Sequence, residues 1–212
     1  MSGIMLNLVG GTLGPAPVPV VGSALGGGYF AGQISTAGNS IADYNLVIGP
    51  VASAQSASLQ WKIVQTTTAG TSSVIDGPAN SAAMNNVTHP AAQFCEGLTI
   101  GGFSDWYLPA KNELEVCYYN LKPTTESNNT AFGVNANAVP ARASNYTAGN
   151  PAQTTSADFK DTGTEDFAPS NYWSSTENSA TGGWNLVFYD GPQYVATKTY
   201  YRRVRAIRRV AV

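Results

Sequence analysis

The side chains able to do acid–base or nucleophilic chemistry are few in this 212-residue chain, and none stands at the spacing of a catalytic pair. His89 is the one histidine; beside Pro90 at the start of an expected helix, it reads as a capping or solvated residue rather than a general base. Glu113 and Glu115 are two apart on an expected helix and so point to different faces. Gly10-Gly11-Thr12-Leu13-Gly14 lacks the lysine and the following helix of a phosphate loop. Asp158, Asp161, Glu165 and Asp166 form an acidic stretch that reads as a solvated loop rather than a calcium cage. Cys95 and Cys117 are too few for a disulfide scaffold or a zinc site. Both fall on expected helices and read as buried free thiols, a single bridge between the helices being the alternative. No catalytic residue, cofactor or metal ligand is expected.

What the chain has in quantity is recognition chemistry. It is 43% hydrophobic but only 11% charged, with 11 Tyr and 4 Trp. Gly, Ser, Thr, Asn and Ala take the place of charge. Disorder needs low hydrophobicity and high net charge, so this composition argues for an irregular, loop-rich fold. Binding loops use the same residues, tyrosine for contact area and Ser, Gly and Asn for adaptable hydrogen bonds. The net charge of -2 gives no reason to expect nucleic acid as a partner. The last eleven residues carry Arg202, Arg203, Arg205, Arg208 and Arg209, interleaved with Tyr201, Val204, Ile207 and Val210. That pattern reads as a closing strand whose arginines pair with carboxylates of the fold or of a neighbouring subunit, not as a nucleic-acid arm.

The elements that must position these residues follow from periodicity. Residues 1–28 are Gly/Pro-rich and apolar, without a leader of positive charge or a stretch long enough to span a membrane. They read as an extended segment for assembly or attachment, ahead of a domain over 29–212. Tyr44 to Ile48 reads as a strand, and Leu59, Trp61 and Ile63 alternate as another. Ser81 to Leu98 reads as a helix broken at His89-Pro90. Lys111 to Leu121 places Leu114, Cys117, Tyr118 and Leu121 on one helical stripe. Residues 123–170 are a long polar stretch, which inside a domain is usually functional or an insertion that contacts a partner. Strands return at Tyr172 to Ser175 and around Trp184, Leu186 and Phe188. Asp190-Gly191 signals a hairpin, and a closing strand runs from Tyr201 to Val210.

One ordered set of motifs resembles a known family. Gly101-Gly102-Phe103-Ser104-Asp105-Trp106-Tyr107-Leu108-Pro109 precedes a helix with Glu113-Leu114. Tyr172-Trp173-Ser174-Ser175-Thr176, Gly183-Trp184 and Val204-Arg205-Ala206-Ile207-Arg208 follow. This order, over residues 76–210, is similar to the C-terminal domain of a bacterial collagen-like adhesin, found also in lipoproteins and phage tail-fibre proteins. The resemblance implies an α+β, C-type-lectin-like fold: two helices on a small antiparallel sheet, with long irregular loops. Tyr107 stands where the family usually has Arg, which puts a salt bridge of that arginine in question. Trp106, Leu108, Leu114, Trp173 and Trp184 are expected in the core, and Asp105 is expected to cap a turn. Trp184-Asn185-Leu186 departs from the calcium-dependent sugar site of true C-type lectins. Gly26 to Gly32, Ile48-Gly49-Pro50 and Gln60-Trp61-Lys62 resemble segments that precede this domain in tail fibres.

The expectation is a non-catalytic receptor-binding protein at a tail-fibre tip, recognising a host cell-surface glycan or protein. It would sit on the virion, assembled in the host cytoplasm, as a homotrimer joined to other virion proteins through its N-terminal segment. No nucleic acid partner and no membrane span are expected. The candidate ligand contacts are Asn171, Tyr172, Asn178, Asn185, Tyr189, Gln193 and Tyr194, on the loops and outward faces of the last hairpin. The alternatives are a structural virion component or a bacterial surface adhesin, with an enzyme acting on surface polysaccharide less favoured.

Overall fold

In the computed structural model, which describes residues 17–212, the chain is mixed α+β. Four α-helices accompany two five-stranded sheets among those residues. The first sheet begins inside the segment expected as an appendage; residues 1–16 of that segment lie outside the described residues. Strand β1 (Ala24–Leu25) folds back on β2 (Gly28–Ile34) through Gly26 and Gly27, both at positive φ where glycine sits without strain. Strand β3 (Tyr44–Ile48) has the bounds its sequence suggests and runs antiparallel to β2. A single turn, α1 (Val51–Ala54), follows Pro50 and leads into β4 (Gln55–Gln60).

The strand expected around Leu59, Trp61 and Ile63 is displaced, because β4 ends before Trp61. Trp61 turns fully inward and donates its indole N–H to the Ser174 carbonyl at 2.9 Å. The Lys62 ammonium turns with it, to the carbonyls of Thr66 and Thr67 and the hydroxyl of Thr68. Ile63 is left exposed.

The broken helix is α2 (Gly77–Ala83) and α3 (Pro90–Glu96), with Pro90 at the first helical position, where its missing N–H leaves nothing unbonded. Helix α4 (Lys111–Leu121) has the expected bounds and buries Leu114, Cys117, Tyr118 and Leu121. It packs on β2 at a bulge between Phe30 and Gly32. A β-carbon on Gly32 would lie 2.3 Å from the Asn120 amide nitrogen and 2.8 Å from Val116. The Asn120 amide donates to the Ala31 carbonyl across the same junction at 2.9 Å.

Residues 123–170 hold only β5 (Ala138–Val139), paired to β2, and a 3-10 turn at Ala157–Phe159. The stretch is more than an insertion, since it buries Tyr146, Phe159 and Phe167 in the core. Buried amides do the work that a sheet ladder does elsewhere. Asn128 Nδ2 donates to the carbonyls of Thr147, Ala148 and Pro151 at 3.1, 3.2 and 2.8 Å.

Strands β6 (Asn171–Glu177), β7 (Gly182–Val187), β8 (Gln193–Thr197) and β9 (Tyr201–Arg205) complete the second sheet in the order β4-β9-β6-β7-β8. The single closing strand expected over Tyr201 to Val210 is two strands. Strand β10 (Ile207–Ala211) pairs with β3 in the first sheet. Ala206 is the switch: its N–H bonds the Ala54 carbonyl at 2.9 Å, and its own carbonyl accepts from Gly49 at 3.0 Å. Two sheets and four helices thus replace the one small sheet and two helices expected.

The buried side chains form two clusters, each drawing on strands of both sheets. One gathers α4 with Phe159, Phe167, Tyr172 and Phe188, the other Trp61, Trp106, Trp173, Met84 and Leu108. Cys117 lies in the first and Cys95 in the second, both buried and unbridged. Trp184 is not a core residue: it is partly exposed, with the Lys111 ammonium 4.0 Å above its ring.

Candidate functional site

The charged residues of the motifs are committed to holding the chain together. Asp105 does not cap a turn; both its oxygens take the guanidinium of Arg208, at 2.7 and 2.9 Å, and this holds its carboxyl below the usual range. Glu113 is wholly buried and accepts from Tyr107 Oη at 2.7 Å, Ala110 N at 2.8 Å and Arg209 Nε at 2.8 Å. Burial raises the Glu113 carboxyl, and Arg209 opposes that shift. Tyr107 therefore keeps a hydrogen bond at the position where an arginine was expected. Arg205 is buried and binds Glu165 at 2.9 Å and the Gly49 carbonyl at 2.7 Å. Three of the five terminal arginines thus pair with carboxylates of their own chain, as their interleaving with apolar residues suggests. Glu165 is thereby part of the core scaffold; among the described residues no group of three His, Cys, Asp or Glu is placed to hold a metal.

His89 heads α3 but makes no side-chain cap, and it is buried rather than solvated. Its ring lies edge-on to Trp61 at 5.6 Å, and its nitrogens are 2.9 Å from Thr68 Oγ1 and 2.9 Å from Asn86 Oδ1. Desolvation, then the nearby Lys62 and Lys198, lower its pKa to about 4. The partners of Glu113 and Glu115 are separate: Glu115 takes Arg142, Tyr146 Oη and Asn135.

The seven candidate ligand contacts do not form one surface. Tyr172 is fully buried, its ring among Phe167 and Phe188 and its hydroxyl bonded to Gln55 and Ala168 N; burial pushes its pKa up to about 12. Asn185 is also buried and donates to the Tyr194 carbonyl at 2.9 Å. Both sit on interior strands of the second sheet, and both side chains are turned away from water. Gln193 is half-buried and ties β8 to α4 through the Lys111 carbonyl at 3.0 Å. Asn171 is half-buried at the start of β6. Asn178, Tyr189 and Tyr194 are exposed. Asn178 lies in the turn before β7 and Tyr189 just beyond its end, so β7 separates them.

Of these, Tyr189 adjoins a built surface. The long loop docks on the hairpin tip, Thr124 Oγ1 bonding the Tyr189 carbonyl at 2.7 Å and Asn129 N the Asp190 carbonyl at 2.8 Å. Beside the tip lies a depression of about 330 Å³ lined by Lys122, Thr125, Glu126, Pro151 and Gln153. The Glu126 carboxylate faces the phenol of Tyr189 and raises its pKa. A second depression, about 210 Å³, opens on the other side of the Thr147–Asn150 turn, between Tyr119, Arg142, Asn145 and Asn150. Its wall is the Arg142 guanidinium stacked 3.9 Å over the Tyr119 ring. None of these loop residues was singled out from sequence; the one signal was the length and low apolar content of residues 123–170. Rings, amides, hydroxyls and a carboxylate outside any ion pair among the described residues together suit reversible binding of a polar ligand.

The family model of the Lcl C-terminal domain matches residues 51–208. No curated protein matches the chain. Among solved structures, a fimbrial protein from Bacteroides ovatus ATCC 8483 is similar over 77% of this chain and 35% of its own, at 15% identity and a TM-score of 0.41. The chain spans about a third of that protein's length.

Proposed function

As the chain belongs to the Lcl C-terminal domain family, we propose that it is a non-catalytic recognition domain of a surface-displayed adhesin. The family match over residues 51–208 carries this reading. The target is a cell-surface glycan or protein, and the domain works as a homotrimer. Of the settings expected from sequence, the bacterial surface has the family's collagen-like adhesins behind it; the virion setting rests on short motifs alone. The C-type-lectin-like architecture belongs to the same reading and is supported by the order of the motif segments.

The non-catalytic part is supported by how the acid–base groups are used. His89 is closed in by Trp61 and Thr68, and Glu113 and Glu115 are each neutralised by an arginine in separate networks. A general base has to be within hydrogen-bond reach of a substrate proton.

Binding of the purified chain to a panel of bacterial and host cells tests the proposal. Selective, saturable binding without shortening of purified surface polysaccharide is the expected result. Loss of polysaccharide chain length would make the protein an enzyme. An absence of binding to every cell type would favour a structural component.

A further inference from the structure

Resting on that recognition reading, we infer that the depression beside the hairpin tip is a saccharide subsite for a neutral sugar ring with adjacent hydroxyls. Its volume of about 330 Å³ is at the small end of ligand sites. The acceptors suit a diol. Lys122 holds the backbone carbonyl of Glu126, not its carboxylate, and that carboxylate is in no ion pair among the described residues. The Tyr189 phenol takes up part of this carboxylate, and an ionised carboxylate has room for further hydroxyl donors. Gln153 spends its amide N–H on the Pro123 carbonyl at 2.6 Å, which leaves its oxygen as a further acceptor. Tyr189, 46% exposed beside Glu126, supplies a ring on which the C–H face of a sugar can stack.

The charge balance selects against acidic sugars. Lys122 contributes one positive charge, and its ammonium is buried against the carbonyls of Glu126 and Pro151. Glu126 is the other charged residue of the lining, and its carboxylate has no cation paired to it among the described residues. A uronate or a sulfated ring would bring a like charge against that carboxylate, whereas a neutral ring meets acceptors without one. The site is also rigid before it binds. Lys122 and the Asn128 amide fasten both ends of the loop through the Pro151 carbonyl, so little ordering remains to be done on binding.

The test is saturation-transfer NMR on the full chain with methyl glycosides of neutral hexoses and with glucuronic acid and sialyllactose as acidic probes. Glu126→Gln and Tyr189→Ala are run in parallel, their folding checked by thermal unfolding, alongside a cell-binding assay. Neutral glycosides are expected to bind, and each variant to weaken them about tenfold. Binding of the acidic probes in preference would overturn the ligand class. Unchanged glycan and cell binding by both folded variants would move the site elsewhere and leave the recognition reading standing. Failure of the wild type to bind any cell or glycan would remove both.

Discussion

Asp105 and Glu165 each hold an arginine of the last two strands, but they do so in different surroundings. The Asp105 side chain is 56% exposed, so water screens its pairing with Arg208. The Arg205 guanidinium is sealed from solvent, and removing it strands the Glu165 carboxylate. Arg205→Ala is expected to destabilise the fold by about 3–5 kcal/mol. Asp105→Asn is expected to cost about 1 kcal/mol or less. Urea unfolding of the two variants compares them directly, and equal costs would show that burial does not separate the pairs. His89 gives a second residue-scale expectation. Its folded pKa of about 4 is below the ordinary value of 6.5, so the unfolded chain binds more protons between those values. The neutral ring's contribution is therefore complete above about pH 6.5 and is lost as the pH falls towards 4. The loss is on the order of 1–3 kcal/mol. Subtracting the stability of His89→Gln at each pH isolates this component; a difference that stays flat from pH 7 to 4 would contradict it.

At the scale of elements, β2 and α4 meet at a close-packed junction. Gly32 has φ of 132°, and a side chain there meets Asn120 and Val116. Gly32→Ala is expected to cost at least about 2 kcal/mol, from backbone strain and overpacking together. Thermal unfolding measures it, and a near-neutral change would mean that the bulge can relax. Elements were legible where one face is buried and the other wet. The stripe on α4 and the bounds of β3 follow from that rule. It fails for β6, whose five central residues are all buried between β9 and β7, so alternation could not tell Tyr172 from a surface tyrosine. It fails again at Ala206, where one small residue passes the strand between sheets without a Gly or Pro to mark the change. The loop depressions were illegible for another reason. Lys122, Glu126, Arg142 and Gln153 look like solvated polar residues until Asn128 and Asn135 are seen to fold their loop onto the core.

The whole molecule presents an apolar strip near its described start. Val18 and Val20 are 60% and 76% exposed, and Val212, which shares a shallow depression with Val18, is 66% exposed. No charged side chain precedes Asp43 in the sequence. Scattered exposed valines need no explanation, but an uncharged strip next to a Gly/Pro-rich segment fits a contact between copies of the chain. A saccharide subsite of modest size binds weakly by itself, and three copies engaging one surface multiply the effect without any new contact. The full chain is therefore expected to have three times the protomer mass in solution, as read by light scattering. The sheet starts at Ala24, so a chain beginning at residue 21 loses Val18 and Val20 and still retains every described strand. That shorter chain is expected to unfold at a similar temperature, to have the mass of a single protomer, and to bind cells at least tenfold more weakly. A shortened chain that still has the mass of three protomers would place the contact on the domain itself. A full-length chain that is monomeric yet binds cells firmly would show that one subsite suffices.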